Sequence, residues 1–174
     1  MDRAIRNERL AARIEGGFVV FLIGMRINKL LQVQHWWPVA MAMPRMIREL
    51  YAHPELGFLH AETWGGRTTL TLQYWRSMEQ LLAYATQRDA EHLPAWRDFN
   101  RKAASSGAVG IWHESYVIEP GRYENIYVNM PAFGLGRAGS VYAATGSMHS
   151  AVQRLGGAAG QQSTPTESSP GEVS

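Results

Sequence analysis

The chain contains no cysteine. This absence excludes disulfide bonds, cysteine-ligated zinc, iron–sulfur clusters and a thiol nucleophile. Charged residues are also few, at 18% of the 174 residues, and the formal net charge is only +2. A surface that binds nucleic acid needs clustered basic side chains to neutralise phosphates, and the sequence contains no long basic run. We therefore expect no nucleic-acid partner.

Long hydrophobic segments are missing as well. The longest apolar run, Phe18–Met25, contains Gly24 and is followed by Arg26, and it is much shorter than the roughly 20 residues that cross a bilayer as a helix. The residues after Met1 are charged, whereas a signal peptide would place an apolar stretch there. These features predict a cytoplasmic protein without a membrane partner. The apolar content of 45% is enough for one ordinary domain with its own core.

The hydrophobic pattern predicts a mixture of strands and helices. Asp2–Glu15 carries Ile5, Leu10 and Ile14 loosely on one side, which predicts a short amphipathic helix. The later elements are a strand Phe18–Ile27, a helix Trp36–Ala52, strands Gly57–Trp64 and Thr68–Trp75, a helix capped by Ser77, a helix Pro94–Ala104, a strand Ala108–Ile118 and a short strand Tyr123–Asn129. Pro44 lies inside the predicted helix Trp36–Ala52, so this helix either bends at Pro44 or begins its regular part there.

This order is β-α-β-β-α-β with an extra strand, which is typical of the split βαβ, ferredoxin-like arrangement. The predicted fold class is α+β, with one antiparallel sheet that carries its helices on one face. The other face must be covered as well, because Trp64, Trp75, Trp112 and Tyr116 are too large an apolar area to remain exposed. A symmetric dimer that pairs two such sheets would bury them and enclose a cavity.

Two histidines are the candidate catalytic residues. His92 precedes Pro94 at a predicted helix start, and His113 lies in the middle of a strand with Ile111 on its own face. Either ring could act as a general base or bind an iron. The alternatives are a helix cap for His92 and a core histidine that bonds a backbone carbonyl for His113.

Aromatic side chains on the same elements predict a cage for an apolar ligand. Their alternative role is plain core or dimer interface, and Asn129 is alternatively a turn residue. His60 and Glu62 lie two residues apart on one strand face, which is a weak metal signal, so we expect no metal. The candidate substrate-binding residues are Trp75, Trp96, Trp112, Tyr116, Tyr127 and Asn129.

Several short segments resemble the monooxygenase-like family that is named after a fumagillin-pathway enzyme. The resemblance covers about residues 17 to 136 and lies in Met25–Asn28, Met43–Arg45, Gln73–Ser77, His92–Trp96, Gly110–Glu114 and Tyr127–Pro131. That family is similar to the dimeric α+β barrel superfamily, which includes antibiotic-biosynthesis monooxygenases and haem enzymes.

The resemblance implies a homodimer and a pocket between sheet and helices for a small aromatic or polyketide-like molecule. The first hypothesis, which rests mainly on the resemblance, is a monooxygenase-like enzyme whose cofactor is none or unknown. The alternatives are a haem-dependent oxygenase or dehydratase and a non-catalytic dimer that binds a small molecule. The predicted domain covers residues 17–136, between an N-terminal extension (1–16) and a C-terminal extension (137–155). Residues 156–174 are rich in Gly, Ser, Thr and Pro and predict a disordered tail.

Overall fold

The computed structural model describes residues 4–86 and 106–159. The described residues form seven strands, one helix of 20 residues and several shorter helical segments. The bounds are β1 Arg6–Arg13, β2 Phe18–Ile27, α1 Val33–Ala52, β3 Phe58–Trp64, β4 Leu70–Trp75, α2 Met78–Thr86, β5 Val109–Ile118, β6 Tyr127–Met130 and β7 Ser140–Ala143, with helices at Leu135–Ala138 and Ala151–Ala159.

The first sheet has four antiparallel strands in the order β3-β4-β2-β5. This order is the one that the split βαβ arrangement requires. The helices α1 and α2 pack on one face, where Leu50 of α1 and Leu81 of α2 contact Val19 and Trp75 of the sheet. The predicted α+β, ferredoxin-like fold class is confirmed.

The side chains of strand β4 are divided between the two faces of this sheet. Successive side chains of a strand point to opposite sides, so Thr71, Gln73 and Trp75 face the helices while Leu72 and Tyr74 face away. All of these except Leu72 are buried. Both faces of the strand are therefore covered. Strand β2 is also an inner strand. Because it is covered on both faces, it carries apolar residues at both odd and even positions.

A second sheet, in the order β6-β1-β7, covers part of the face that points away from the helices. Its contacts with the first sheet include Phe18 and Tyr74, which lie in one cluster with Ile14 and Leu135. Phe18 meets Tyr123 edge-on at 4.9 Å between ring centroids. A part of the same chain therefore occupies some of the surface that sequence analysis assigned to a dimer partner.

Two sequence predictions are wrong in this region. The segment Asp2–Glu15 does not contain a helix, because Arg6–Arg13 pairs as a strand with both β6 and β7. These two ladders bury Leu10 and Ala12, and the gain from pairing and burial outweighs a weak helical periodicity. The predicted fifth strand belongs to the second sheet and does not extend the first one.

Helix α1 starts three residues earlier than predicted and continues through Pro44 to Ala52. The predicted cap of α2 is confirmed, since the Gln80 backbone N–H donates to Ser77 Oγ at 3.2 Å. The predicted helix Pro94–Ala104 lies outside the described residues. The helix Ala151–Ala159 includes the first four residues of the predicted tail, and the predicted domain boundaries stay predictions. None of the helices in the described ranges is long and apolar enough to cross a membrane.

Candidate functional site

A cavity of about 750 Å³ lies between the two helices and the helix-facing side of the first sheet. This is the size of a typical small-molecule site. The sheet contributes its floor, and α1 and α2 contribute its described walls. The lining consists of Phe21, Ile23, Gly24, Met25, Val39, Ala40, Ala42, Met43, Pro44, Met46, Ile47, Thr63, Thr69, Thr71, Gln73, Trp75, Leu81, Leu82, Tyr84, Ala85, Ile111, His113 and Ser115.

The strand register arranges the floor of the cavity in rows across the sheet. Ile23 lies between Thr71 on β4 and His113 on β5, and Phe21 lies between Gln73 and Ser115. All of these side chains share the helix-facing side because they have the same parity along antiparallel strands. Polar groups on β4 and β5 are thus separated by an apolar ridge on β2.

The described lining contains no aspartate, glutamate, lysine or arginine. Methionines and aliphatic residues dominate the α1 side, and methionine adapts its shape to irregular ligands. An ion in such a cavity would lose its hydration without gaining a charged partner. The lining therefore favours an uncharged, mainly apolar ligand.

His113 is the predicted catalytic residue that the structure places at this cavity. Its ring lies 5.8 Å from the ring of Phe21, between centroids. Within residues 4–86 and 106–159, no protein group holds the ring by a hydrogen bond, and the residue is exposed.

Trp75 is the predicted binding residue that also lines the cavity. Its side chain is 0% exposed, and its Nε1–H donates to Gln73 Oε1 at 2.8 Å. Because an indole nitrogen can only donate, this bond determines which end of the Gln73 amide is the oxygen. The Gln73 Nε2 group then lies 3.8 Å from Met43 Sδ.

The predicted binding residues Trp112 and Tyr116 lie on the opposite face of β5. The indole of Trp112 lies close over Gly24, where a Cβ would come within 2.7 Å of its Nε1. This buried Nε1 has no hydrogen-bond partner among the described residues. Tyr116 is 48% exposed, and its hydroxyl donates to Glu114. The structure does not bring these two aromatics to the cavity, and their binding role stays a prediction.

Tyr127 and Asn129 lie on β6 in the second sheet. The Tyr127 hydroxyl accepts a hydrogen bond from the Gly136 backbone N–H at 3.2 Å. Asn129 has a positive φ of 52° and is exposed, which agrees with a turn-like conformation. Neither lines the cavity. The predicted catalytic residue His92 and the predicted binding residue Trp96 lie outside the described residues.

His60 and Glu62 bond to each other. His60 Nε2 lies 3.0 Å from Glu62 Oε1, and its Nδ1 lies 2.6 Å from the Tyr51 hydroxyl. The Tyr51 oxygen also accepts from the Ala61 backbone N–H. Both ring nitrogens of this buried histidine therefore have protein partners, and the expected absence of a metal stays a prediction.

Sequence reasoning did not single out Gln73, Phe21 or Met43 as cavity residues. One signal was present for Gln73. The alternation of β4 placed this amide on the same face as Trp75, where a polar side chain between large apolar residues requires a partner. The contribution of Met43 depended on how α1 lies across the sheet.

Tyr74 lies on the face covered by the second sheet, where burial raises the pKa of its phenol to about 12. A raised folded-state pKa means that Tyr74 contributes stability below its unfolded value of 10.0 and that this contribution is lost as pH rises toward about 12. We expect the free energy of unfolding to fall less steeply across this interval in Tyr74→Phe than in the unchanged protein. Phenolate absorbance of both proteins checks the assignment, and ionisation of folded Tyr74 at its ordinary pKa would contradict it.

Comparison with known proteins identifies a family that this chain matches. Residues 18–135 match the family described as Monooxygenase af470-like. A curated relative, Monooxygenase af470 from Aspergillus fumigatus, is 30% identical over 132 residues, which cover 71% of this chain and 46% of the relative. The chain thus spans about half the length of the curated relative it matches.

A solved structure, that of protein SO0527 from Shewanella oneidensis, is 9% identical and gives a TM-score of 0.37, with coverage of 67% of this chain and 99% of that one. A similarity at this level carries no argument about function. The family match is different, since it extends over more than half of the chain and contains the first sheet, α1 and α2. The chain belongs to the Monooxygenase af470-like family.

Proposed function

We propose that this chain is a monooxygenase-like enzyme that oxidises a small, apolar aromatic or polyketide-like substrate in the cavity between sheet and helices. The observation that carries the proposal is the cavity whose described lining is apolar and uncharged and has a histidine, His113, on its floor. Family membership and the name of the relative support it.

In this proposal His113 acts as a general base. It removes a proton from an enol or phenol of the substrate, and the resulting electron-rich carbanion reacts with dioxygen directly. Conversion of a CH₂ group into a carbonyl balances the reaction, because one oxygen atom enters the product and the other leaves as water. The substrate supplies all four electrons, so no separate reductant is needed. The apolar lining excludes water from the intermediate.

Haem is the cofactor of the alternative enzyme class. Haem would need an axial ligand, which His113 could supply, and its two propionates would need water or cationic side chains around them. The described part of the lining contains no arginine or lysine. A neutral substrate needs no such partner, and the mechanism above uses no haem.

A homodimer is part of the proposal. The second sheet covers only part of the outer face of the first sheet, and Trp64 and Tyr116 remain 41% and 48% exposed. Exposed aromatics of this size are typical of an interface. The molar mass in solution tests this part.

The function is tested by oxygen uptake with polyketide-like phenols and enols that carry a CH₂ group conjugated with the hydroxyl, without added metal or cofactor. A cavity-filling variant, Ala40→Phe, adds bulk at a lining position of α1. We expect it to lower the uptake rate by at least about tenfold, because a displaced substrate loses its reactive geometry. Ala52→Phe changes an exposed residue of the same helix and should leave the rate unchanged.

Three results would contradict this proposal. One is uptake that Ala40→Phe leaves intact, since the reaction would then occur elsewhere. Another is a sharp Soret band on stoichiometric addition of haemin, lost in His113→Ala, which would favour the haem enzyme. The third, tight ligand binding without any oxygen uptake, would favour the non-catalytic binding dimer.

A further inference from the structure

Most polar groups of the cavity lining already have protein partners. The hydroxyls of Thr63 and Thr71 lie 3.2 Å apart. The Thr69 hydroxyl bonds the backbone of Met25, and the Tyr84 hydroxyl donates to Glu49 at 2.7 Å. These groups hold the walls together and have little capacity left for a ligand.

Gln73 differs from them. Its side chain is 2% exposed, and its oxygen accepts the Trp75 indole N–H at 2.8 Å. The two hydrogens of its Nε2 group need acceptors of their own. One points to Met43 Sδ at 3.8 Å, and a thioether sulfur is a weak acceptor. A buried amide donor is thus held in one orientation at the cavity wall with less bonding than it can make.

We propose that Gln73 binds a carbonyl oxygen of the substrate and makes the cavity selective for carbonyl-containing apolar molecules over matching hydrocarbons. This inference rests on the proposed function of the cavity as the substrate site. A carbonyl is the neutral acceptor that an N–H donor needs here, and the uncharged described lining disfavours a carboxylate in its place.

The position of Gln73 also constrains the substrate. Gln73 on β4 and His113 on β5 are separated by β2, so two strand spacings, about 10 Å, lie between their strands. Phe21 on β2 provides an aromatic surface between them. The substrate class is therefore a flat apolar body with a carbonyl at one end and an ionisable hydroxyl or enol at the other.

The test compares two probes of the same shape, 2-acetylnaphthalene and 2-ethylnaphthalene. Calorimetry on the full chain gives the dissociation constant of each, and the ratio of the two constants reports the carbonyl contact. We expect Gln73→Leu to shift this ratio toward the hydrocarbon by about 5- to 50-fold, because the ketone loses its donor in a desolvated site. Binding of the hydrocarbon should change by less than about threefold.

Gln73→Met is a second variant of similar size. Its thioether accepts weakly from Trp75 and has no donor for a ketone, whereas a glutamate at this buried position would be neutral and could itself donate. The same shift in the ratio is expected from Gln73→Met if Gln73→Leu does not fold. Gln34→Leu changes an exposed glutamine of α1 and should leave the ratio unchanged.

The outcomes separate the two proposals. If both probes bind and the ratio shifts by less than twofold in the Gln73 variants, the role of Gln73 is wrong while the cavity remains a ligand site. Equal weakening of both probes would mean that Gln73 only supports the walls. If the unchanged protein binds neither probe, the proposed function of the cavity and the role of Gln73 are both contradicted.

Discussion

Replacing Trp75 by alanine is expected to lower the free energy of unfolding by about 3–5 kcal/mol. Trp75 is 0% exposed and lies where β4, α1 and α2 meet. Its ring contacts Phe58 and Tyr84 at centroid distances of 5.5 and 5.7 Å. Alanine would leave a large void in this cluster and would also remove the indole N–H that donates a hydrogen bond to Gln73. Chemical denaturation measures the sum of both effects.

Trp37→Ala is the matched control for Trp75→Ala. Trp37 lies on α1 and is 55% exposed, so its truncation removes little buried area. We expect a loss of about 0.5 kcal/mol, as for other surface substitutions. Equal losses in the two variants would show that Trp75 is not the centre of this core cluster.

The second large effect is expected on turnover. His113→Ala should lower kcat by about 10²- to 10⁴-fold, the usual contribution of a positioned general base. His113 belongs to the cavity floor and has no hydrogen-bonded protein partner in the described chain, so its loss should disturb the fold little. The dissociation constant for 2-acetylnaphthalene should change by less than about threefold, because removal of a catalytic group need not weaken ground-state binding.

His53→Ala is the matched control for His113→Ala. His53 ends α1, is exposed and pairs with Glu55 at 2.8 Å. Its loss should leave kcat unchanged. A His113→Ala enzyme with undiminished kcat would remove His113 from the mechanism and make His92 the remaining candidate base, and weaker binding with unchanged kcat would identify a binding group.

The first sheet could be predicted from local pattern. The predicted strand Phe18–Ile27 has the same bounds as β2 in the structure. This strand could be recognised because a strand covered on both faces is apolar at odd and even positions alike. Strand alternation places Gln73 and Trp75, two residues apart, on one face, as the structure has them. His113 and Trp75 could be named as candidates because histidine and tryptophan side chains are chemically distinctive.

Pattern could not show what lies on each side of the first sheet. Trp112 was grouped with His113, yet adjacent residues of a strand face opposite sides, and the cavity lies on only one of them. Asp2–Glu15 was predicted as a helix from its weak periodicity. Its strand could not be recognised, because the pairing of β1 depends on β6 and β7, more than one hundred residues away in the chain.

By itself the sequence determined the order of the elements of the first sheet, the alternation of side chains along its strands and the absence of cysteine chemistry. These properties depend on residue type and on short-range periodicity, which can be read locally. Only the tertiary structure decided that α1 and α2 leave a cavity over β2, β4 and β5, that Trp75 orients the Gln73 amide, and that a second sheet covers part of the outer face. Each of these depends on contacts between residues far apart in the chain, whose free energy appears only when the elements pack together.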